Sequence, residues 1–405
     1  MKYTITNFQD LLDETLGKSK ELTNYEIKNL TAPGENYGSL MLAVKVDLRE
    51  KATGKEETLH LIAKTAPTSE FIQQMFQSRF SFKKELEFYR TIVPTLRQFQ
   101  KSQGVTKTID FVAEFFGGRT SINPQLQFDN DAIILLENLK ISGYEIGDRF
   151  VGLNYECTKL VLEDLAVLHA VPVALKLKQP SVFKDNVLPY LKNASFFTGL
   201  GPGPIKAMVN DAADLLRQTE EFKVQAELLE EVFNRGEAYR INPVAPKEPF
   251  ATIAHSDFWV NNTMLLLKDG KPIKNKMVDF QLTEYNSPAK DFIFFMFISV
   301  QNQIIIDHYD ELFQFYYDTY IDTLKKHNVD ISKFSLNEFL ADMDTAAKQD
   351  TVLQCIVMLR PIFAPKGVHL NFEIMDENTK LPEPTETHKE KLYFLIRELT
   401  KRNWL

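Results

Sequence analysis

Asp269-Gly270 stands between Thr263-Met264-Leu265-Leu266-Leu267 and the run Ile273 to Val278, both rich in strand-forming residues. An Asp-Gly pair takes the positive-φ geometry of a two-residue hairpin turn readily, so the chain is expected to double back here. With those two residues as the turn, Asn262 falls opposite Met277 and diagonal to Asp279 on the same face. A four-residue turn, Asp269 to Pro272, sets Asn262 opposite Asp279 itself. Diagonal neighbours on one face stand roughly 7–8 Å apart at Cα, so either register brings an amide and a carboxylate to one place. Lys274 and Lys276 alternate with apolar residues, as on an exposed strand face.

The segment leading into this hairpin is His255-Ser256-Asp257-Phe258-Trp259-Val260-Asn261-Asn262, and the segment leaving it is Met277-Val278-Asp279-Phe280-Gln281. These supply the side chains that phosphoryl transfer from a metal-bound nucleotide requires. One carboxylate, Asp257, can accept a proton from a hydroxyl, while Asn262 and Asp279 offer oxygens to Mg²⁺. Asp257 lies in a loop aimed by rigid strands, and His255 is read as organising that loop by hydrogen bonds. The same residues would also serve as a capped loop with a satisfied histidine.

Composition narrows the classes. A chain of 405 residues is long for one domain, which favours two lobes. Net charge of −8 argues against nucleic acid or an anionic membrane as the main partner. The two cysteines, Cys157 and Cys355, read as buried thiols of a reducing compartment, with no disulfide framework. The N-terminus lacks an apolar signal core, and Phe292 to Ile298 is far shorter than the ~20 residues of a membrane span. It is expected to be a buried helix, in a cytoplasmic protein.

Residues 1–138 read as strand-rich. Leu40 to Leu48 and Glu57 to Lys64 are strands joined by turn residues, followed by one helix from Ser69 to Ile92 that Pro94 stops. Phe111 to Phe116 and Ala132 to Leu136 are further strands. Residues 139–405 read as mostly helical, over Tyr155 to Ala170, Asp211 to Phe222, Val224 to Tyr239, Ile304 to Leu324, Leu336 to Met358 and Thr385 to Arg402. Strand character returns only around Ala251 to Asp279. Thr198 to Pro204 is Gly- and Pro-rich, but no Gly-Lys-Ser/Thr follows, so it is taken as a plain loop. The fold class expected is α+β, a small lobe with an antiparallel sheet joined to a larger helical lobe.

With these stretches taken together, the chain resembles the ecdysteroid kinase-like family (also called CHK kinase-like). That family is related to choline kinases and aminoglycoside phosphotransferases within the protein-kinase-like fold. The resemblance is carried by His255 to Asn262, Val278-Asp279-Phe280-Gln281 and Ser287-Pro288-Ala289-Lys290-Asp291-Phe292. Ile133 to Leu139 and Phe82 to Tyr89 add to it. It implies an ATP- and Mg²⁺-dependent kinase acting on the hydroxyl of a small-molecule alcohol, with an ecdysteroid or other steroid-like compound a candidate.

The resemblance also implies further roles. Gly34 and Gly38 would belong to a loop covering the nucleotide, although a simple turn before a strand accounts for them as well. Lys64, ending an apolar strand, would reach the α- and β-phosphates, and Glu85 on the following helix would pair with it. Glu87 competes for that pairing but points about 200° around the helix from Glu85. Backbone groups near Glu137 and Leu139 would meet the adenine edge. Asp291 would accept hydrogen bonds from the catalytic-loop backbone, or cap a helix. One departure stands out: where the family carries glycine, this chain has Ser256, which would be strained if the position needs φ > 0. A non-catalytic nucleotide- or ligand-binding protein is the alternative that Ser256 and the sparse glycine loop would support.

Overall fold

The computed structural model describes residues 3–30, 39–67, 69–191, 199–365, 367–368 and 370–405. A first helix, α1 (Phe8–Leu16), precedes β1 (Lys20–Asn29), β2 (Leu40–Glu50) and β3 (Glu56–Thr65). Neither α1 nor β1 is evident from periodicity. The strand packs Leu22, Tyr25 and Ile27, partly buried, against the core under α1, but a bulge between Leu22 and Asn24 breaks their period-2 spacing. Helices α2 (Glu70–Met75), α3 (Ser78–Glu87) and α4 (Val93–Ser102) follow, then β4 (Phe115–Arg119) and β5 (Ile133–Glu137). The five strands form an antiparallel sheet in the order β1-β2-β3-β5-β4.

Period-2 alternation assigns the two faces of this sheet. Leu42, Val44, Val46 and Leu48 of β2, Leu61 and Ala63 of β3, and Ile133 and Leu135 of β5 pack under Phe8, Leu11 and Leu12 of α1. Gly117 lets α1 lie close, since a Cβ there would come within 2.1 Å of the Leu11 carbonyl oxygen. The alternate residues, Ile134 and Leu136, join the larger core on the other side. Lys64, which pairs with Ile134, sits on that second face.

The single helix expected from Ser69 to Ile92 is broken. Gln77 takes φ 47°, ending α2 and starting α3 on a new axis. Nor does Pro94 stop the run. A π-helical turn, Phe88–Ile92, joins α3 directly to α4, and the helix runs on through Pro94 just after it.

The remainder is mostly helical, as expected. Short β6 (Tyr144–Ile146) leads to α5 (Tyr155–Lys178), α6 (Pro180–Asn186), α7 (Pro202–Arg217) and α8 (Lys223–Ile241). The glycine-proline run thus opens α7 instead of remaining a loop to Pro204. β7 (Thr252–Ala254), β8 (Thr263–Lys268), β9 (Lys271–Met277) and β10 (Glu284–Asn286) surround the central motif. The chain ends in α9 (Pro288–Ser299), α10 (Asn302–Lys326), α11 (Leu336–Ala346), α12 (Val352–Ile362) and α13 (Glu386–Lys401). Every residue of α9 is buried, which accounts for its apolar run, and no described helix is long and apolar enough to cross a membrane. Cys355 is buried, but Cys157 is only partly so; both are free.

β8 and β9 form the hairpin around Asp269-Gly270. Beside the turn its register is the two-residue one, with Lys268 opposite Lys271 and Leu267 opposite Pro272, but further along it departs from both expectations. A bulge between Leu266 and Leu267 slips the ladder by one, so Thr263 faces Met277 and the Val278 N–H donates to the Asn262 carbonyl at 3.0 Å. Asn262 therefore lies opposite Val278. Of the two lysines expected on an open face, Lys274 is exposed, but Lys276 donates to the carbonyls of Asp110 and Val112 at 2.5 and 2.8 Å.

Candidate active site

Asp279 leaves β9 in a left-handed conformation, φ 66° and ψ 61°. This turn re-aims a side chain that strand alternation alone would have misplaced. Its Oδ1 accepts from Lys64 Nζ at 2.8 Å, and Lys64 contacts Glu85 Oε2 at 2.5 Å. The Glu85 contact is a buried ion pair. Glu87 bonds the Thr91 hydroxyl instead. The side chains of Lys64 and Glu85 are 4% and 1% exposed, whereas that of Asp279 is 31% exposed. The acid that faces solvent is thus the one free to meet a ligand.

Burial alone would lower the Lys64 ammonium, but Asp279 and Glu85 outweigh it and hold it above its ordinary value. Two carboxylates share one ammonium here. Glu85, the more buried of the two, is pushed up to about 7 by burial despite Lys64.

Asp257 lies beside this triad. Asn262 Nδ2 donates to its carbonyl at 2.8 Å and to its Oδ2 at 3.1 Å, so both bonds run through the amide nitrogen. Burial, then repulsion by Asp279, raise the Asp257 carboxyl to about 8, with the Asn262 bond opposing. The donors available to a cation are the hard oxygens of Asn262, Asp279 and Asp257. Among the described residues no three of His, Cys, Asp and Glu form a metal cluster. Such a sparse oxygen set suits Mg²⁺, which keeps several waters.

The loop carrying Asp257 is held from below. Asp291 accepts the His255 N–H at 2.6 Å and the Ser256 N–H at 2.7 Å. The N-cap of α9 is Ser287, whose side chain accepts the Ala289 N–H, so capping does not account for Asp291. His169 Nε2 donates to Asp291 Oδ2 at 3.0 Å, and its Nδ1 meets the Tyr316 hydroxyl at 2.6 Å. Burial opposes ionisation of Asp291, but the His169 bond and charge outweigh it and hold the carboxyl below its usual range. His255 Nε2 donates to the Val278 carbonyl at 3.0 Å and burial lowers its ring, so it joins loop to hairpin as a neutral imidazole.

Phe280 fixes the other side. Its ring stacks on Phe88 at 3.7 Å and 12°, meets Tyr89 edge-on, and lies 4.9 Å from the His255 ring. Lys84 Nζ, one residue from Glu85, donates to the Thr283 carbonyl at 2.7 Å. The helix bearing Glu85 is therefore fastened to the segment bearing Asp279 by stacking and by a buried hydrogen bond.

Around Glu137 and Leu139, the Glu137 N–H donates to the Glu114 carbonyl and the Leu139 carbonyl accepts the Tyr144 N–H. Gly34 and Gly38 lie outside the described residues. Sequence reasoning missed His169, Lys84 and Gln354. A lone histidine inside an apolar helix gives no signal of its partner over a hundred residues away.

The model of the ecdysteroid kinase-like family matches residues 33–329. The chain belongs to the ecdysteroid kinase-like family. No curated protein matches it. Among solved structures, a GDP complex of an aminoglycoside 2'-phosphotransferase-IIIa mutant aligns at 10% identity and TM-score 0.42, covering 99% of this chain and 98% of that one. A choline/ethanolamine kinase family protein from Mesorhizobium loti aligns at 11% identity and TM-score 0.30, over 83% and 94%. Aminoglycoside phosphotransferase APH(3'')-Id from Streptomyces rimosus gives 13% and 0.30, over 84% and 97%. It is the family match, not these superpositions, that classifies the chain. As an ecdysteroid kinase-like protein it has the α+β fold class its sequence implied, an antiparallel sheet followed by a mostly helical remainder.

Proposed function

We propose that this protein is an ATP- and Mg²⁺-dependent kinase that transfers the γ-phosphoryl group to a hydroxyl of a small-molecule alcohol, with steroid-like or xenobiotic alcohols as candidates. The observation that carries the reading is the meeting of Lys64, Glu85, Asp279, Asp257 and Asn262 from four separate stretches of sequence. In this reading residues 1–138 form the nucleotide lobe and residues 139–405 the catalytic and substrate lobe.

Each role follows from chemistry at a stated atom. Asp257 lies where it can accept the proton of an attacking hydroxyl, and its raised carboxyl matches a base working near neutral pH. Lys64 is held protonated and aimed by Glu85, ready to meet phosphate oxygens as a point charge. Asn262 and Asp279 would hold Mg²⁺, which neutralises phosphate charge when bound. The Leu139 N–H, in no backbone hydrogen bond among the described ones, would meet the adenine edge beside Glu137. Gly34 and Gly38 would cover the phosphates. His255 and Asp291 would hold the loop.

The test is ATP consumption with a panel of steroid and plant-derived alcohols, wild type against Asp257→Asn. Alcohol-dependent turnover that Asp257→Asn abolishes is expected. Tight Mg-ATP binding with no turnover on any alcohol would turn the reading to a binding protein. Mass spectrometry of a phosphorylated product from an extract would name the acceptor.

A further inference from the structure

Ser256 has φ 67°, in the left-handed region that residues with a Cβ rarely occupy. It immediately precedes Asp257, so any relaxation of its backbone would swing that carboxylate. All its polar groups are engaged, each from a different element. Its N–H donates to Asp291 Oδ1 at 2.7 Å, and its hydroxyl donates to Glu284 Oε1 at 2.9 Å. Its carbonyl accepts from Gln354 Nε2 of α12 at 2.8 Å.

These partners are themselves fixed. Lys290 donates to the same Glu284 oxygen at 2.9 Å and to Asp350 Oδ2 at 3.0 Å, and all three side chains are largely buried. Asp350 lies in a π-helical turn, Ala347–Thr351, between α11 and α12. Asp350 precedes Gln354 by about one helical turn, so the same helix supplies Gln354 to the loop and Asp350 to the Lys290 that fixes Glu284.

We infer that Glu284 and Gln354 are positioning residues that hold Ser256 in its strained conformation and thereby aim Asp257. The inference rests on the reading of Asp257 as the proton acceptor. The serine hydroxyl is part of the hold: it supplies a bond that glycine could not, at a position where glycine would need none.

The ordering of two substitutions tests this. Ser256→Ala keeps the Cβ and loses the hydroxyl, so turnover falls about tenfold, the size of the left-handed penalty. Ser256→Gly loses the same bond without the strain and falls only about threefold. KM for ATP stays put in both. Gln354→Met, which removes the carbonyl's donor at little cost to packing, lowers turnover several-fold with Ser256 present and less in the Ser256→Gly background.

Amide hydrogen exchange over residues 254–258 gives a readout independent of any acceptor. Exchange rises in Ser256→Ala and Gln354→Met, and rises less in Ser256→Gly. An alanine variant equal to wild type in both measurements, or better than the glycine variant, overturns the inference. Asp257→Asn separates the two claims. Wild-type turnover in that variant defeats the base assignment while the exchange ordering still reports on the brace. An inactive Asp257→Asn with alanine superior to glycine defeats the brace alone.

Discussion

Ionised Asp279 opposes the ionisation of Asp257 across the site. After burial, the Asp279 carboxylate is the largest influence raising the Asp257 carboxyl, which reaches about 8. A base must be ionised to take a proton, so kcat/KM should rise with pH and level off above about 8. Mg²⁺ held at Asp279 would cancel the repulsion and draw the Asp257 carboxyl down. The midpoint of kcat at saturating Mg-ATP should therefore lie on the acid side of the kcat/KM midpoint. Initial rates across pH 5 to 10 check both, and coincident midpoints would show that no charge reaches Asp279 in the complex.

The same repulsion predicts a trade of stability for function. Asp257 has its folded value raised from 3.8 to about 8, so the folded protein binds the extra proton in that interval. Its contribution to stability falls as pH rises from about 4 to about 8 and is fully lost above it. Asp257→Asn should remove that dependence, since the amide can still accept from Asn262. Its Tm should exceed that of wild type at pH 9 and match it near pH 4, as read by thermal unfolding at the two pH values.

Lys64 is the only cation that Glu85 and Asp279 contact directly among the described residues. Lys64→Met leaves a fully buried glutamate without its counter-charge, which should cost about 3 kcal/mol at pH 8. Glu85 is already raised from 4.5 to about 7, and losing Lys64 raises it further. The deficit should shrink as pH falls towards 4.5, where Glu85 is protonated whether folded or not. Urea unfolding at pH 8 and pH 5 measures it. A deficit independent of pH would assign the loss to packing of the lysine stem.

How much of this was legible beforehand depends on what each element is made of. The hairpin announced itself through Asp269-Gly270, and α9 through an unbroken apolar run, because turn chemistry and burial are local properties. β1 was hidden because the bulge between Leu22 and Asn24 breaks the alternation of Leu22, Tyr25 and Ile27. The hairpin register was missed because the bulge at Leu267 costs one residue and leaves no mark in the residue pattern. Helix geometry sets Glu85 and Glu87 on different sides without choosing between them, and the ion pair with Lys64 falls to Glu85. The turn that carries Asp279 towards Lys64 was not legible, since a left-handed aspartate is set by its surroundings. His169, Lys84 and Gln354 were invisible because their partners are distant in sequence.

His169 offers the last test. Asp291 is fully buried, and His169 supplies its only side-chain hydrogen bond among the described residues. His169→Leu should strand that carboxylate, costing about 3 kcal/mol near neutral pH. In wild type the Asp291 carboxyl is held below 3.8, so its stabilising contribution is present above that value and is lost as pH falls through the folded one. The gap between variant and wild type should accordingly be widest at neutral pH and close in strong acid. Activity should suffer separately, because the two loop N–H groups on Asp291 would lose a fixed acceptor. A fall in kcat of about tenfold or more with KM for ATP unchanged is expected, consistent with a misaimed Asp257. Unchanged kcat in a folded His169→Leu protein would show that the carboxylate holds the loop unaided.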